Sequence, residues 1–219
     1  MTCFAAVWPH CAHTSANGSN PLRYIELARR VRAYLDQRHR YEHTVRVARC
    51  AEVLAQHHRL DTRKARIAGM LHDLARLYSD PRLIDECETR GMAIDDFERA
   101  HPIVLHARLG AALAAETFGI RDREILSAIA KHTVGAAQMS RLDCALYLAD
   151  GLEPGRDYAE RGALWELALR DLDAAMHATI ASSLTNLRKR GIAVAPQTQA
   201  AAKAFANTGR SARSAESAT

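Results

Sequence analysis

Apolar residues recur at steps of three and four along most of this chain, and nowhere do β-branched residues alternate with polar ones over a strand's length. That spacing is the period of an α-helix and leaves a sheet nothing to build with. Val47, Cys50, Ala51 and Leu54 share one helix face; Ile67, Met70, Leu71 and Leu74 share another. Leu105, Leu109, Ala112 and Leu113 repeat the pattern, followed by Ile125 and Ile129, then by Leu142, Ala145, Leu146 and Ala149. A last long helix is expected from Leu172 to Arg190, with Gly191 as its stop. Breaks fall at Asp80-Pro81, Gly91, His101-Pro102, Gly119, Gly135 and Pro154-Gly155. The fold class is therefore all-α, one bundle of roughly seven to nine helices.

The 219 residues, 48% apolar and 25% charged, suffice for one domain with a full core, placed at residues 21–196. Residues 1–20 mix Cys, His, Ser, Asn and Gly without period and read as a flexible N-terminal extension. Cys3, His10, Cys11 and His13 lie there at spacings that match no zinc pattern. Residues 197–219, rich in Ala, Ser, Thr and Gln, read as a flexible C-terminal tail. No apolar run approaches the roughly 18 residues of a membrane span, so no membrane partner is expected. Five cysteines form no disulfide framework, which points to the reducing cytoplasm. The net charge is +5, and 26 of the 30 basic residues are arginine, the side chain that grips phosphate as a planar fork. These arginines are scattered among 25 acids, and aromatics make up only 5%, so nucleic acid is not the expected partner.

The histidines carry the chemistry. His43 lies in RYEHT near the start of one helical pattern, and His72-Asp73 lie in LHDLA late in the next. His106 opens a third, His132 closes a fourth, and Asp150 ends a fifth. A bundle that gathers those ends sets four imidazoles and two carboxylates around one cavity, a donor set suited to Zn, Fe, Mn or Co. His72 and Asp73 are adjacent, so both turn to one site only where the helix ends or is irregular. Six ligands exceed what one tetrahedral ion with an open position requires, so two metal ions are expected.

The motifs RYEHT (40–44), LHDLAR (71–76), LHARLGA (105–111), AIAKHTVG (128–135), MSRLDCALYLADGLEPGR (139–156) and APQT (195–198), in this order on an all-helical chain, resemble those of the HD-domain metal phosphohydrolases, and more closely their YqeK subfamily. The resemblance runs from about Arg40 to Thr198. It implies an HD-type helical fold, a dinuclear centre with iron as the first candidate, and symmetrical cleavage of diadenosine tetraphosphate, a dinucleoside polyphosphate, to two ADP by a metal-activated water. Carried over position by position, the metal ligands are His43, His72, Asp73, His106, His132 and Asp150, with Asp73 bridging; Asp73, His106 and His132 are the residues on which catalysis rests. The chain departs from the family at Arg76, where Lys is frequent, and at Val134 and Ala136 of the HTVGA loop.

Around these ligands the expected substrate contacts are Arg40, Arg76, Thr133, Gly135 and Arg156. Arg76 follows Asp73 by three residues, one turn on, within reach of a phosphate beside the metals. Gly135 would let backbone approach a phosphate. Glu153 is pushed out of the helix by Pro154 and is expected on the rim. Lys131 points about 100° away from His132 on a helix. His39, His57-His58, His177 and Asp95-Asp96 read as surface, and Cys50, Cys87 and Cys144 adjoin no base that would make them nucleophiles. Three other readings compete: a mononuclear 5′-nucleotidase, for which His106 and His132 have no use; a cyclic-dinucleotide phosphodiesterase, for which the Gly-Tyr-Pro motif is missing; and a nucleotide-binding sensor with little turnover. A homodimer is left open.

Overall fold

The computed structural model describes residues 21–216; the N-terminal extension and its Cys3, His10, Cys11 and His13 lie outside the described residues. The described residues are all-helical: α1 (Pro21–Leu35), α2 (Arg38–His57), α3 (Thr62–Leu71), α4 (Asp80–Thr89), α5 (Asp96–Ala100), a 3-10 turn (Pro102–Val104), α6 (Leu105–Glu116), α7 (Arg123–Lys131), α8 (Arg141–Leu152), α9 (Arg161–Arg170), α10 (Leu172–Lys189) and α11 (Pro196–Glu216).

The helix starts are written in polar side chains. Asp61 accepts from the Lys64 N–H, and Asp122 from those of Glu124 and Ile125. Asp95 and Ser140 form reciprocal capping boxes with Glu98 and Asp143. Among the described residues eleven helices stand where seven to nine are expected, and the short α5 and the C-terminal α11 are among those added. Asp95 sets off the five-residue α5. Asp171, in extended backbone, ends α9 and caps α10 by accepting from the Asp173 and Ala174 N–H groups, which starts the last long stretch at Leu172 as expected.

Helix α8 is the centre. Residues 142–149 and Leu152 are all buried, so this helix is wrapped on every side. Helices α2, α3 and α7 pack around it. Helices α2 and α3 approach closely: a Cβ added to Gly69 would stand 2.6 Å from the Ala48 Cα. Only glycine lets the two backbones meet there. The consequence is positional: the C-terminal ends of α3, α7 and α8 and the early turns of α2 and α6 converge on one region.

The C-terminal boundary needs correction. Residues 197–216, expected as part of a flexible tail, continue the fold as α11, which packs on α10. Thr198, Ala201 and Phe205 are buried, at the spacing of three and four that one helix face requires. Small side chains around them hide that face from a reading of composition. Among the described residues, no helix is long and apolar enough to cross a membrane.

Candidate metal centre

Helices α3 and α7 stop one residue short of their histidines. His72 and His132 are the capping residues that follow Leu71 and Lys131. Past Leu71 the backbone leaves the helix and runs through turns, so His72 and Asp73, adjacent in sequence, both face the same site. The irregular backbone that this pair requires is therefore present.

Each of three histidines is anchored by the same local device. The ring Nδ1 of His72 donates to the Gly69 carbonyl at 2.7 Å, that of His106 to Ile103 at 2.5 Å, and that of His132 to Ile129 at 2.7 Å. A carbonyl only accepts, so a proton sits on each Nδ1 and the Nε2 atoms are the ones turned to the site. His43 does the same through a side chain, with Nδ1 3.1 Å from the Glu153 Oε1.

The four Nε2 atoms meet at Asp73. Its Oδ2 lies 3.6 Å from the Nε2 of His43 and 3.4 Å from that of His72. Its Oδ1 lies 3.5 Å from the Nε2 of His106 and 3.8 Å from that of His132. Asp150 completes the first half, with Oδ1 3.1 Å from His43 and 3.8 Å from His72. The carboxylate of Asp73 thus turns one oxygen to each histidine pair.

All four histidines and Asp73 are buried. Burial by itself would raise the Asp73 carboxyl, but the imidazoles of His72, His132 and His106 outweigh it and hold the group ionised, well below the usual range. Asp150 is held low in the same way, against burial, by His43, His72 and Arg156. Burial pulls the His132 imidazole down to about 3, helped by His72 and His106, and burial also lowers His106. Burial also acts to lower His72, but the carboxylates of Asp73 and Asp150 outweigh it and raise that imidazole, so the site favours positive charge there. Neutral His106 and His132 beside ionised carboxylates are protonation states that metal ligands adopt.

A cation fits this donor set. The buried Nε2 atoms of His43 and His72 have no hydrogen-bond partner. The His43 Nε2 faces the Asp150 carboxylate at 3.1 Å, a contact that a proton or a metal ion between them satisfies. His43, His72 and Asp150 group closely enough to share an ion, as do His72, Asp73 and His132.

A cavity of about 280 Å³ opens on the cluster, lined by Arg40, Asp73, Arg76, Ile103, His106, Thr133, Asp150 and Arg156. Two larger cavities, of about 580 and 530 Å³, touch none of the six ligand candidates. Of the expected substrate contacts, the Arg40 Nη1 donates to the Asp73 Oδ2 at 2.8 Å and the Arg156 Nη2 to the Asp150 Oδ1 at 2.5 Å. Two arginines thus hold the ligand carboxylates from the cavity side. Arg76 lines the cavity with no carboxylate partner among the described residues. The Thr133 hydroxyl lies 3.1 Å from the His106 Nε2 and 3.0 Å from that of His132.

Two expectations fail. Gly135 does not reach the cavity: its positive φ of 68° closes the turn after α7, and a Cβ there would point at Ala201 of α11. Glu153 is not on the rim. It is 2% exposed and accepts from His43, from the Arg46 Nε at 2.5 Å and from the Gly155 N–H at 2.6 Å. Pro154 does force it out of α8, but its side chain folds back under the site. Lys131 turns away to Asp143, at 2.8 Å, as the helical angle requires. His39 is exposed and outside the cluster, whereas His58, expected at the surface, bonds the Ala168 carbonyl at 2.6 Å. Burial pushes the thiols of Cys50 and Cys144 up to about 12 and also raises Cys87, which removes them as nucleophiles.

A family model described as HD domain matches residues 40–155, a span that holds all six ligand candidates. The chain belongs to the HD domain family. Among relatives of this HD domain protein is the symmetrical bis(5′-nucleosyl)-tetraphosphatase of Bacillus subtilis, 33% identical over 160 residues, covering 73% of this chain and 86% of the relative. The protein of the same name from Halalkalibacterium halodurans is 32% identical over 162 residues, covering 74% and 86%. A probable nicotinate-nucleotide adenylyltransferase/Ap4A hydrolase of Mycoplasma genitalium is 35% identical over 133 residues; the match covers 61% of this chain and only 37% of that longer protein. The fold is similar to a crystal structure from Clostridium acetobutylicum, titled a predicted HD superfamily hydrolase involved in NAD metabolism. Its TM-score is 0.80 at 30% identity, and the match covers 84% of this chain and 97% of that one. The likeness read from the motifs is thus borne out at the level of family and fold.

Proposed function

We propose that this HD domain protein hydrolyses diadenosine tetraphosphate symmetrically, yielding two ADP, at a dinuclear metal centre held by His43, His72, Asp73, His106, His132 and Asp150. The observation that carries the reading is the split carboxylate: the Asp73 Oδ2 faces His43 and His72, while its Oδ1 faces His106 and His132. A one-metal site has no use for the second pair. The names borne by relatives of 86% coverage supply the reaction class.

When bound, the metals supply a water acidic enough to act as nucleophile near neutral pH. The chain's own residues do the rest. Arg40 and Arg156 fix the carboxylates of Asp73 and Asp150, and Arg76 offers an unpaired guanidinium to phosphate oxygens as charge develops there. Thr133 is placed to donate to a substrate oxygen beside His106 and His132. At about 280 Å³ the cavity accepts the polyphosphate rather than two nucleosides, which then sit at its mouth. Iron is the proposed metal on the family resemblance; Mn, Co and Zn share the donor preference. The cytoplasm is the proposed compartment, in keeping with the free thiols of Cys50, Cys87 and Cys144.

Metal analysis of the purified protein beside a nucleotide panel tests the reading. Two ions per chain and a preference for dinucleoside tetraphosphate support it. One ion with preference for nucleoside monophosphates supports the nucleotidase instead, and nucleotide binding without turnover the sensor.

A further inference from the structure

We propose that Glu153 is the positioning residue that makes His43 a metal ligand, by setting which ring nitrogen carries the proton. The inference rests on the metal-centre reading above and extends it to a residue that touches neither metal nor substrate.

His43 is the exception among the four histidines. The other three are anchored to a backbone carbonyl three residues earlier, an acceptor that folding of the local turn supplies by itself. His43 lies well inside α2, where the carbonyl three or four residues back belongs to the helix ladder. Its Nδ1 therefore needs an acceptor from elsewhere. Glu153 provides it at 3.1 Å from 110 residues away.

That acceptor is itself held. The Glu153 Oε2 takes the Arg46 Nε at 2.5 Å and the Gly155 N–H at 2.6 Å; its Oε1 takes the His43 Nδ1 and, at 3.4 Å, the Arg46 Nη2. With both oxygens occupied by donors, the carboxylate has no lone-pair direction left over and no freedom to swing away. Arg46 lies one turn after His43 on α2, so one helix carries both the ligand and the cation that secures its anchor. An ionised carboxylate can only accept, so Glu153 keeps a proton on the His43 Nδ1, and the buried Nε2, which points at Asp150 and Asp73, is the atom left to meet a metal in place of any proton shared with Asp150.

Glu153→Gln separates this role from mere packing, because the shape is kept and the acceptor pattern is not. The two donors on Oε2 hold the amide oxygen, so the amide nitrogen turns to His43 and drives the ring proton to Nε2, where it occupies the ligand position. Glu153→Asp keeps an acceptor-only carboxylate and sacrifices reach. A positioning role predicts that Gln is the worse variant; a packing role predicts that Asp is.

The test is ring-nitrogen NMR of the metal-free protein together with Mn²⁺ and Fe²⁺ titration of wild type and both variants. The expected result is a protonated His43 Nδ1 in wild type and Glu153→Asp, a bare Nδ1 with the proton on Nε2 in Glu153→Gln, and metal affinity lowered about 10- to 100-fold in Glu153→Gln and less in Glu153→Asp. An unchanged tautomer and affinity in a folded Glu153→Gln protein, or a larger loss in Glu153→Asp, overturns the proposal. Failure of wild type to bind metal would count against the metal centre, while the tautomer in metal-free protein still decides the role of Glu153.

Discussion

The Nε2 atoms of His106 and His132 face each other at 3.2 Å, while the Nδ1 of each ring donates to a carbonyl of its own turn. Both facing atoms are therefore lone pairs, and the Thr133 hydroxyl beside them has one proton to give. Two acceptors at that distance are stable together when a cation lies between or beside them. In the proposed function the pair is the second half of the centre. His132→Ala is expected to lower the metal content by about one ion per chain and to abolish most cleavage, read by elemental analysis and by turnover of the same sample. Unchanged metal and rate would return the one-metal nucleotidase reading.

Asp73 is proposed to join the halves, one oxygen facing each histidine pair. Asp73→Ala is expected to empty both positions and remove activity together, because each histidine pair loses the carboxylate oxygen that faces it. Arg40 then also loses its partner. Metal analysis and a melting curve on one preparation check this; a protein that keeps two ions and its rate would refute the bridging role.

Arg76 is predicted to serve substrate rather than metal, since it lines the cavity with no acid to pair with among the described residues. Arg76→Ala should raise KM or lower kcat by about 1–3 kcal/mol of transition-state binding, the range for losing a charged hydrogen bond, with metal content intact. Steady-state kinetics on metal-analysed protein is the measurement. Loss of metal in this variant would place Arg76 among the supports of the ligands instead.

Gly69 couples the fold to the site. An alanine Cβ there would stand 2.6 Å from the Ala48 Cα, backbone that yields only if α2 and α3 part. The gain of about 1 kcal/mol in helix propensity is smaller than an overpacking cost of about 1–3 kcal/mol, so Gly69→Ala should be less stable in denaturant unfolding of the metal-free protein. Because the Gly69 carbonyl holds His72, metal affinity should fall with it. A more stable variant with normal metal would contradict the packing account.

The clustering of the four histidines with Asp73 and Asp150 was legible because its local cues are short-range. His72 and His132 end their helices, and His106 lies one residue past a start, so chain order and helix breaks were enough to bring them together. The adjacency of His72 and Asp73 demanded an irregular backbone, and the turns after Leu71 provide it. What escaped depends on distant partners. Pro154 signals that Glu153 leaves the helix, but the direction of its side chain is set by Arg46, 107 residues earlier. Gly135 carries the signal of a flexible turn, and only the position of α11 shows that the turn serves packing against Ala201. Helix α11 itself was hidden by small residues, whose low apolarity masks a face that buries Thr198, Ala201 and Phe205.

The central claim concerns the bond that breaks. Symmetric cleavage requires the middle of the tetraphosphate to lie over the two histidine pairs, with Arg76 on a flanking phosphate and the nucleophile in line with the central bridging oxygen. Chromatography of the products formed from diadenosine tetraphosphate by the metal-loaded protein is the most direct measurement. Two equivalents of ADP are the predicted result; AMP with ATP, or no reaction beside brisk turnover of another phosphoester, would contradict the account.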